Sequence, residues 1–548
     1  MKQTSIIFLI LTICMPLWAQ SPKHEVRAVW LTTIGGIDWP HSFANSPQAV
    51  ERQKQELCDI LDRLKKGGIN TVLLQSRIRA TTIYPSKYEP WDGCLSGKPG
   101  VSPGYDALQF AVEECHRRGM EIHAWVVTIP IGKWTAAGCT QLRKQHSNLI
   151  RKIGQDGFMN PENPQTANYL ADICEEITRN YDIDGIHLDY IRYPETWKIK
   201  VSRTQGRQYI TNIVSAINKR VKTLKPWVKM SCSPIGKFDD LSRYRSNGWN
   251  AYTAVCQDAQ GWLRAGLMDE LFPMMYFKGN QFFPFALDWA EHSHGRIVAP
   301  GLGIFFLNPR EGNWTLETIT REMEVLRQNN MGHTYFRSKF FTDNDKGIYD
   351  FASRFDQHPA LVPPMTWQHS TPPASPTRLS VSSKSLSWTG ARDASNAPYL
   401  LYNVYSSRTL PVDISDPRNL VATRLTEPQL SLSQPTDGRY FAVTAMDRYG
   451  NESQPLQSHT QKTALTIPKN VEMLQCDGRR VTFPPRESAL DADVVTIEDM
   501  KGRIIATRPY KGTSADVSRL ADGLYSMRSV NRKGVSHRLG FFMIKRKL

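Results

Sequence analysis

The chain has 548 residues, which at roughly 150 per domain makes three or four domains, or one large barrel with smaller modules. Its 14 Trp, 20 Tyr and 21 Phe exclude wholesale disorder, since disordered chains are poor in aromatic residues. Lys and Arg number 68 against 52 Asp and Glu, and the formal charge of +16 is spread along the chain rather than clustered. That balance suits an exported protein meeting anionic envelope polymers and gives no footprint for nucleic acid.

The N-terminus is expected to be an export signal. Lys2 supplies the positive start and Ile6–Met15 an apolar run, far short of the roughly 20 residues a membrane span needs. Pro16-Leu17-Trp18-Ala19 then sets up cleavage after Ala19, so residues 1–19 are read as a signal peptide and no integral membrane segment is expected. Cys14 follows Ile13 rather than a small residue, which argues against lipidation. Of the other cysteines, Cys58, Cys115 and Cys174 fall in helical, apolar segments and read as buried free thiols. Cys94 and Cys139 lie in loops and are the pair to expect if a disulfide forms. The absence of CxxC gives no support to a zinc ribbon or a thioredoxin motif.

From Val26 to about Phe355 short apolar strands alternate with amphipathic helices. The strands are read at Arg27–Thr33, Ile69–Gln75, Met120–Val127, Gly185–Ile191, Val228–Ser233, Leu271–Phe277, Ile297–Ile304 and His333–Phe336. After the first, Ser46 caps a helix with Pro47 at its first position, and Leu57, Ile60, Leu61 and Leu64 mark its buried face. Further helices are read around Tyr105–Arg118, Gln165–Asn180, Tyr209–Leu224, Tyr252–Ala265, Pro284–Ser293 and Leu316–Asn330, with a last one near Asn344. Eight strands alternating with helices predict an α/β fold, a (β/α)8 TIM barrel over residues 23–360. A doubly wound open sheet is the alternative, but no glycine-rich phosphate fingerprint follows the first strand.

Residues 361–376 are rich in proline and read as a linker, which predicts that the barrel can be separated there. Beyond it only short strands are expected: Ser385–Trp388, Leu400–Tyr405, Gln429–Leu432 and Arg439–Met446. Residues 377–462, with Trp388 early and Tyr402 and Tyr405 alternating, resemble a fibronectin type III module, a small β-sandwich. A second small β domain is expected over 467–548, with strands at Val494–Glu498, Gly502–Thr507, Gly523–Val530 and Gly540–Ile544. Its close, Leu520–Tyr525 and Phe541–Lys545, resembles the C-terminal sorting domain of the type IX secretion system and implies secretion machinery as a partner.

In such a barrel the catalytic side chains lie at the C-terminal ends of the strands. The fourth strand begins at Asp184 and reaches Asp189 and Tyr190, and the two carboxylates are roughly 16 Å apart at the strand rise. Asp184, at the N-terminal end, is read as a turn or helix-stop residue. Asp189 is read as catalytic, the competing reading being a structural ion pair with Arg192. His187 shares its side of the sheet. The other polar and aromatic groups of the mouth, Trp30, Gln75, Arg77, Trp91, His123, Trp125, Tyr190, Arg192 and Tyr276, are read with His187 as substrate-binding, because indole faces stack on sugar rings and polar groups bond hydroxyls. Trp39 also flanks the first exit. Without HxH or HExxH spacing, His123, His187 and Asp189 are not expected to hold a metal, and no cofactor is expected.

Glu25–Leu31, Tyr84–Trp91, Gly104–Leu108, His116–Trp125, Asn160–Pro164 and Asp184–Pro194 together resemble the glycosyl hydrolase-like 10 family over about Val26–Phe355. The resemblance implies a secreted or periplasmic barrel glycosidase, and one class of members cleaves peptidoglycan glycan strands freed of their stem peptides. The fourth-strand segment is also similar to that of the alpha-amylase family, whose nucleophilic Asp falls at Asp189. It departs from the chitinase-like pattern, whose catalytic Glu would fall on Ile191.

Glycoside hydrolysis normally takes two carboxyl groups. Asp38, Glu195, Asp239 and Asp240 are the loop candidates for the second, whereas Asp269 and Glu270 precede the sixth strand as Asp184 precedes the fourth. The expectation is an exported hydrolase of peptidoglycan glycan or a related amino-sugar polymer. The alternatives are a non-catalytic glycan-binding surface protein and a glycosidase of dietary or host polysaccharide.

Overall fold

Strand β1 (Arg27–Leu31) is buried along its whole length, as a strand covered on both faces must be. The computed structural model describes residues 21–393, 395, 397–432, 438–458, 473–483, 492–499, 503–510, 512–531 and 536–545; the expected signal peptide and Gly502 lie outside them. Parallel strands β2 (Thr71–Arg77), β3 (Glu121–Val127), β4 (Gly185–Asp189) and β5 (Lys229–Cys232) follow. Strand β6 is split into Glu270–Leu271 and Met274–Met275 around Pro273, which has no N–H for a ladder. Strand β7 is split likewise around Pro300, into Ile297–Val298 and Gly301–Leu302, and β8 is His333–Tyr335.

The ladders run β1–β2–β3–β4–β5–β6–β7, and the second segments of β6 and β7 lead back through β8 to β1. The result is one curled parallel sheet of ten segments, the centre of a TIM-barrel-like α/β domain. An open doubly wound sheet would leave two unpaired edges, and here the β1–β8 ladder joins them.

Helix α1 (Pro47–Lys66) starts where its sequence dictates. Ser46 Oγ accepts from Ala49 N at 3.2 Å, Pro47 holds the first position, and Leu57, Leu61 and Leu64 are buried against the sheet. Further helices are α2 (Ala107–Arg117), α3 (Pro164–Asn180), α4 (Arg203–Leu224), α5 (Ala259–Arg264), α6 (Phe283–Glu291), α7 (Leu316–Gln328) and α8 (Ile348–Phe355). Helix α5 is shorter than its periodicity suggests, because Cys256 takes φ +58° and Asp258 then caps the helix by accepting from Gly261 N. The sequence reading missed a three-stranded antiparallel sheet after β3, made of Pro130–Lys133, Ile150–Ile153 and Asp156–Met159. All eight described cysteines are free thiols, Cys94 and Cys139 included.

The N-terminal ends of the strands are closed by ion pairs. Arg27, Glu25, Arg327 and Asp356 interlock beneath β1 and β8, with Arg327 donating to Glu25 Oε2 at 2.6 Å. Asp184 is 4% exposed, and its carboxylate accepts from His116 Nε2 at 2.9 Å and Ile122 N at 3.0 Å. Two arginines from beyond residue 376 complete its shell: Arg424, and Arg448 at 3.3 Å. Arg424 also donates to Glu121 Oε1 at 2.9 Å, and Arg448 to Asp182 Oδ1 at 2.8 Å. Asp184 is therefore more than a turn residue; it is the buried anchor on which a second domain sits.

That domain has a three-stranded sheet (Thr377–Val381, Ser385–Thr389, Gln429–Ser431) and a four-stranded one (Leu420–Leu425, Leu401–Ser407, Tyr440–Met446, Leu456–Gln457). Trp388, Tyr402, Val404, Phe441 and Val443 fill the space between them. It docks so closely that Gly119, at φ +65°, has no room for a side chain: a Cβ there would come within 2.3 Å of Thr423 O. Compactness divides the chain between His459 and Thr460. The C-terminal unit pairs Arg480–Thr482 with Ser514–Asp516 and has a four-stranded antiparallel sheet of Ile504–Pro509, Ala492–Glu498, Gly523–Asn531 and Ser536–Ile544. Val495, Ile497, Met527 and Phe542 are its core. Among the described residues no helix is long and apolar enough to cross a membrane.

Candidate active site

The C-terminal ends of the strands open onto a cleft of about 600 Å3, the size of a small-ligand pocket. Asp189, the last residue of β4, lines it while only 8% exposed. Its Oδ2 accepts from Trp125 Nε1 at 3.1 Å, and its Oδ1 accepts from Tyr190 N at 2.8 Å and Ser233 Oγ at 2.9 Å. The peptide carbonyl of Asp189 is fixed by Thr128, through N at 2.9 Å and Oγ1 at 2.8 Å. Tyr190 adopts φ +53°, a left-handed backbone that bulky residues avoid, and lines the cleft beside Asp189. Burial raises the proton affinity of Asp189 above that of an ordinary aspartate, with Ser233, Arg192, the Tyr190 amide and Trp125 pulling it partway back.

Arg192 does not pair with Asp189. Its guanidinium donates to Glu195 Oε1 at 2.7 Å and to Tyr193 O at 3.2 Å, and lies 4.4 Å from the Tyr190 ring centre. The direct ion pair that would make Asp189 a purely structural carboxylate is therefore missing. Burial acts to raise the Glu195 carboxyl too, but Arg192 outweighs it and holds the group below the ordinary glutamate range. Tyr276 also lines the cleft, its ring 5.3 Å from that of Phe336 and its buried hydroxyl without a partner among the described residues. Gln75 also lines the cleft, its Oε1 accepting from Thr33 N at 3.1 Å and Ile34 N at 2.9 Å.

The structure thus brings Asp189, Gln75, Trp125, Tyr190, Arg192 and Tyr276 together, and places the other expected contacts elsewhere. Trp30 and His187 lie one layer down, the indole donating to His187 Nε2 at 3.1 Å, with Phe272 edge-on to both. His187 Nδ1 faces Ser231 Oγ at 3.1 Å, and burial keeps the ring neutral. His123 is fully buried deeper still, 3.7 Å from Glu121 and 3.9 Å from Glu270. These side chains fill the barrel as packed layers.

Arg77 misses the mouth because the β2–β3 register shifts between Gln75 and Arg77, and a bulge re-aims the side chain. It donates to both carboxylate oxygens of Glu89, at 2.8 and 2.6 Å. Trp91 packs against the core from the loop that bridges Thr82, and Trp39 is fully buried with its N–H on Gln53 O. Of the candidate second carboxylates only Glu195 lines the cleft; Asp38 is taken by Thr32 and Arg337, Asp239 by Asn250, and Asp240 by Ser246. Asp269, at the N-terminal end of β6, accepts from Met230 N and Trp367, and Glu270 is buried without a hydrogen bond, its carboxyl pushed up to about 8.

Sequence reasoning missed Arg79, Lys133, Asp156, Phe158, Phe336 and Arg337, which also line the cleft. Three of them ride on the small sheet after β3, where no long periodicity announces a strand. Among the described residues no cluster of His, Cys, Asp and Glu is suited to hold a metal ion.

A curled parallel sheet with a buried carboxylate at one strand exit and aromatic groups around it is the frame of a sugar-processing barrel. Residues 25–303 match the family model of glycosyl hydrolase-like 10, and the chain belongs to that family. Glycosyl hydrolase YngK of Bacillus subtilis (strain 168) is 28% identical over 514 residues, 83% of this chain and 98% of the relative. Glycosyl hydrolase DigH of Escherichia coli (strain K12) is 28% identical over 297 residues, 48% of this chain and 68% of the relative. Among solved structures, the glycoside hydrolase domain of PgaB (BpsB) from Bordetella bronchiseptica aligns with a TM-score of 0.42 at 14% identity, covering 60% of this chain and 98% of that domain.

Proposed function

We propose that the protein is an exported glycoside hydrolase that cuts peptidoglycan glycan strands, once freed of stem peptides, or a related amino-sugar polymer. The observation that carries the reading is Asp189: a buried carboxylate at a strand exit, oriented by three donors, facing a cleft and not neutralised by a direct ion pair. Acting ionised, it attacks or stabilises the oxocarbenium-like centre of the sugar held above it. Glu195 is the second carboxyl in this reading. The Arg192 charge acts on both Asp189 and Glu195, so one buried guanidinium stands within electrostatic reach of the pair. Tyr276 and Trp125 offer an unpartnered hydroxyl and an aromatic wall to the sugar.

We further assign the domain anchored by Arg424 and Arg448 as a fibronectin type III-like module, and the C-terminal unit as a type IX sorting domain. The family membership and the glycosyl hydrolase relatives support a glycan substrate. The test is to incubate the purified protein with peptide-free glycan strands and weigh the products. Shorter strands are expected. Strands that bind but stay intact point instead to a glycan-binding surface protein, and cleavage of only dietary or host polysaccharides moves the substrate.

A further inference from the structure

A second chamber of about 660 Å3 lies beside the cleft, and Ile34, Ile78, Arg79, Gly132 and Lys133 line both, so the two chambers adjoin along these residues. Arg79 stands where they meet. Ile78 N donates to Thr81 O at 2.9 Å and Arg77 bridges Thr82, which leaves Arg79 and Ala80 as the tip of a two-residue turn. Ala80 takes φ +57°, a left-handed backbone uncommon for alanine. The turn is clamped in that form: Gly138 packs so tightly under it that a Cβ would come within 2.2 Å of Ala80 O. Strained backbone held by its surroundings gathers at ligand sites.

The turn presents an unanswered charge. Lys133 pairs with Asp156 at 3.0 Å, and Asp92 is occupied by Thr81 Oγ1 at 2.6 Å and Cys94 N at 2.8 Å. Arg79 is exposed and has no acidic partner among the described residues, and its charge reaches the Tyr190 phenol beside Asp189. Beyond the junction the second chamber is walled by Phe43, a phenyl ring left 55% exposed and backed by Gly97. An exposed ring in a groove wall suits the C–H face of a pyranose.

We propose that the two chambers hold one glycan chain of several rings, and that Arg79 binds a carboxylate on the ring lying across their junction, selecting acidic glycans over neutral ones. A guanidinium without a partner is suited to a carboxylate, which it bonds through two parallel N–H groups. The inference rests on the reading of the Asp189 cleft as the glycan site, and the test separates the two. Full-length Asp189→Asn protein is titrated with peptide-free peptidoglycan oligosaccharides of two to eight sugars, before and after reduction of their lactyl carboxylates to alcohols. The acidic form is expected to bind about tenfold more tightly than the reduced form. Affinity should keep rising with length past the tetrasaccharide, and adding Arg79→Gln should erase the preference, so that the acidic and reduced forms bind alike. Equal binding of the two forms, or a preference that survives Arg79→Gln, overturns the inference and leaves the cleft as a glycan site. Failure of every form to bind, with no cleavage by the unsubstituted protein, overturns the reading of the cleft and the inference with it.

Discussion

Replacing Asp184 by Asn removes the charge on which four donors converge at the base of the barrel. His116 Nε2 lies at 2.9 Å, Ile122 N at 3.0 Å and Arg448 at 3.3 Å, and Arg424 is the fourth. If Asp184 merely capped a turn, the loss would be about 1 kcal/mol. Breaking a buried ion pair costs about 3–5 kcal/mol, because the surviving charge stays buried. Here Arg424 keeps Glu121 and Arg448 keeps Asp182, and the amide oxygen still accepts from Ile122, so the low end applies, about 3 kcal/mol. Urea unfolding of the full-length protein, followed by tryptophan fluorescence, should show a lower midpoint at an unchanged slope. The sign with pH follows from the depressed carboxyl. The flanking arginines and His116 hold Asp184 well below the ordinary aspartate value despite its burial. Its stabilisation is therefore complete above the unfolded value of about 3.9 and is lost as pH falls below it, so Asp184→Asn should flatten the acid side of the stability profile. Turnover per folded molecule should be preserved. A loss under about 1 kcal/mol, or a well-folded but inactive variant, would refute the assignment of Asp184 as an anchor rather than a reacting group.

Three further outcomes follow from the same geometry. Trp125→Phe deletes the donor on Asp189 Oδ2, and since a hydrogen bond to a charged group is worth about 1.5–3 kcal/mol, the acid limb of kcat/KM should move up by about one pH unit. An unmoved limb would separate Trp125 from the chemistry. A chain ending at Pro364 loses Arg424 and Arg448, which takes two of the four donors from Asp184 and leaves Glu121 to Lys229, so it should be recovered in aggregated or strongly destabilised form; a stable, active fragment would show that the linker marks an independent barrel. Deleting the residues after Ala515 should leave the barrel folded but hold the protein in the periplasm of its host, and unchanged amounts at the cell surface or in the medium would remove the sorting role.

Much of the barrel was legible because period and caps agree. Ser46-Pro47 announces α1, and the alternation from Arg27 onward announces parallel strands at nearly the right places. The breaks in β6 and β7 were written in Pro273 and Pro300 but read through, since an apolar run hides a missing N–H. The linker illustrates a different limit. Its prolines are real, yet whether two domains part there depends on Arg424 and Arg448, which meet Asp184 only in three dimensions. In the site, alternation told lumen from exterior but not depth. Trp30, His123 and His187 do point inward, and they are consumed as packing layers below Asp189. Arg77 was lost to a one-residue bulge, which flips a side chain without leaving a mark in composition. Arg79, two residues on, took its place in the cleft wall.

The most direct test compares the unsubstituted protein with Asp189→Asn on peptide-free glycan strands, measuring chain length by mass and binding in the same samples. The Asn side chain keeps the shape and still accepts a hydrogen bond, but removes the charge needed at the anomeric centre. Turnover is expected to fall by orders of magnitude while binding persists and the folded fraction is unchanged. Near-normal turnover by Asp189→Asn would contradict that expectation, and the active centre would have to be sought at another carboxylate.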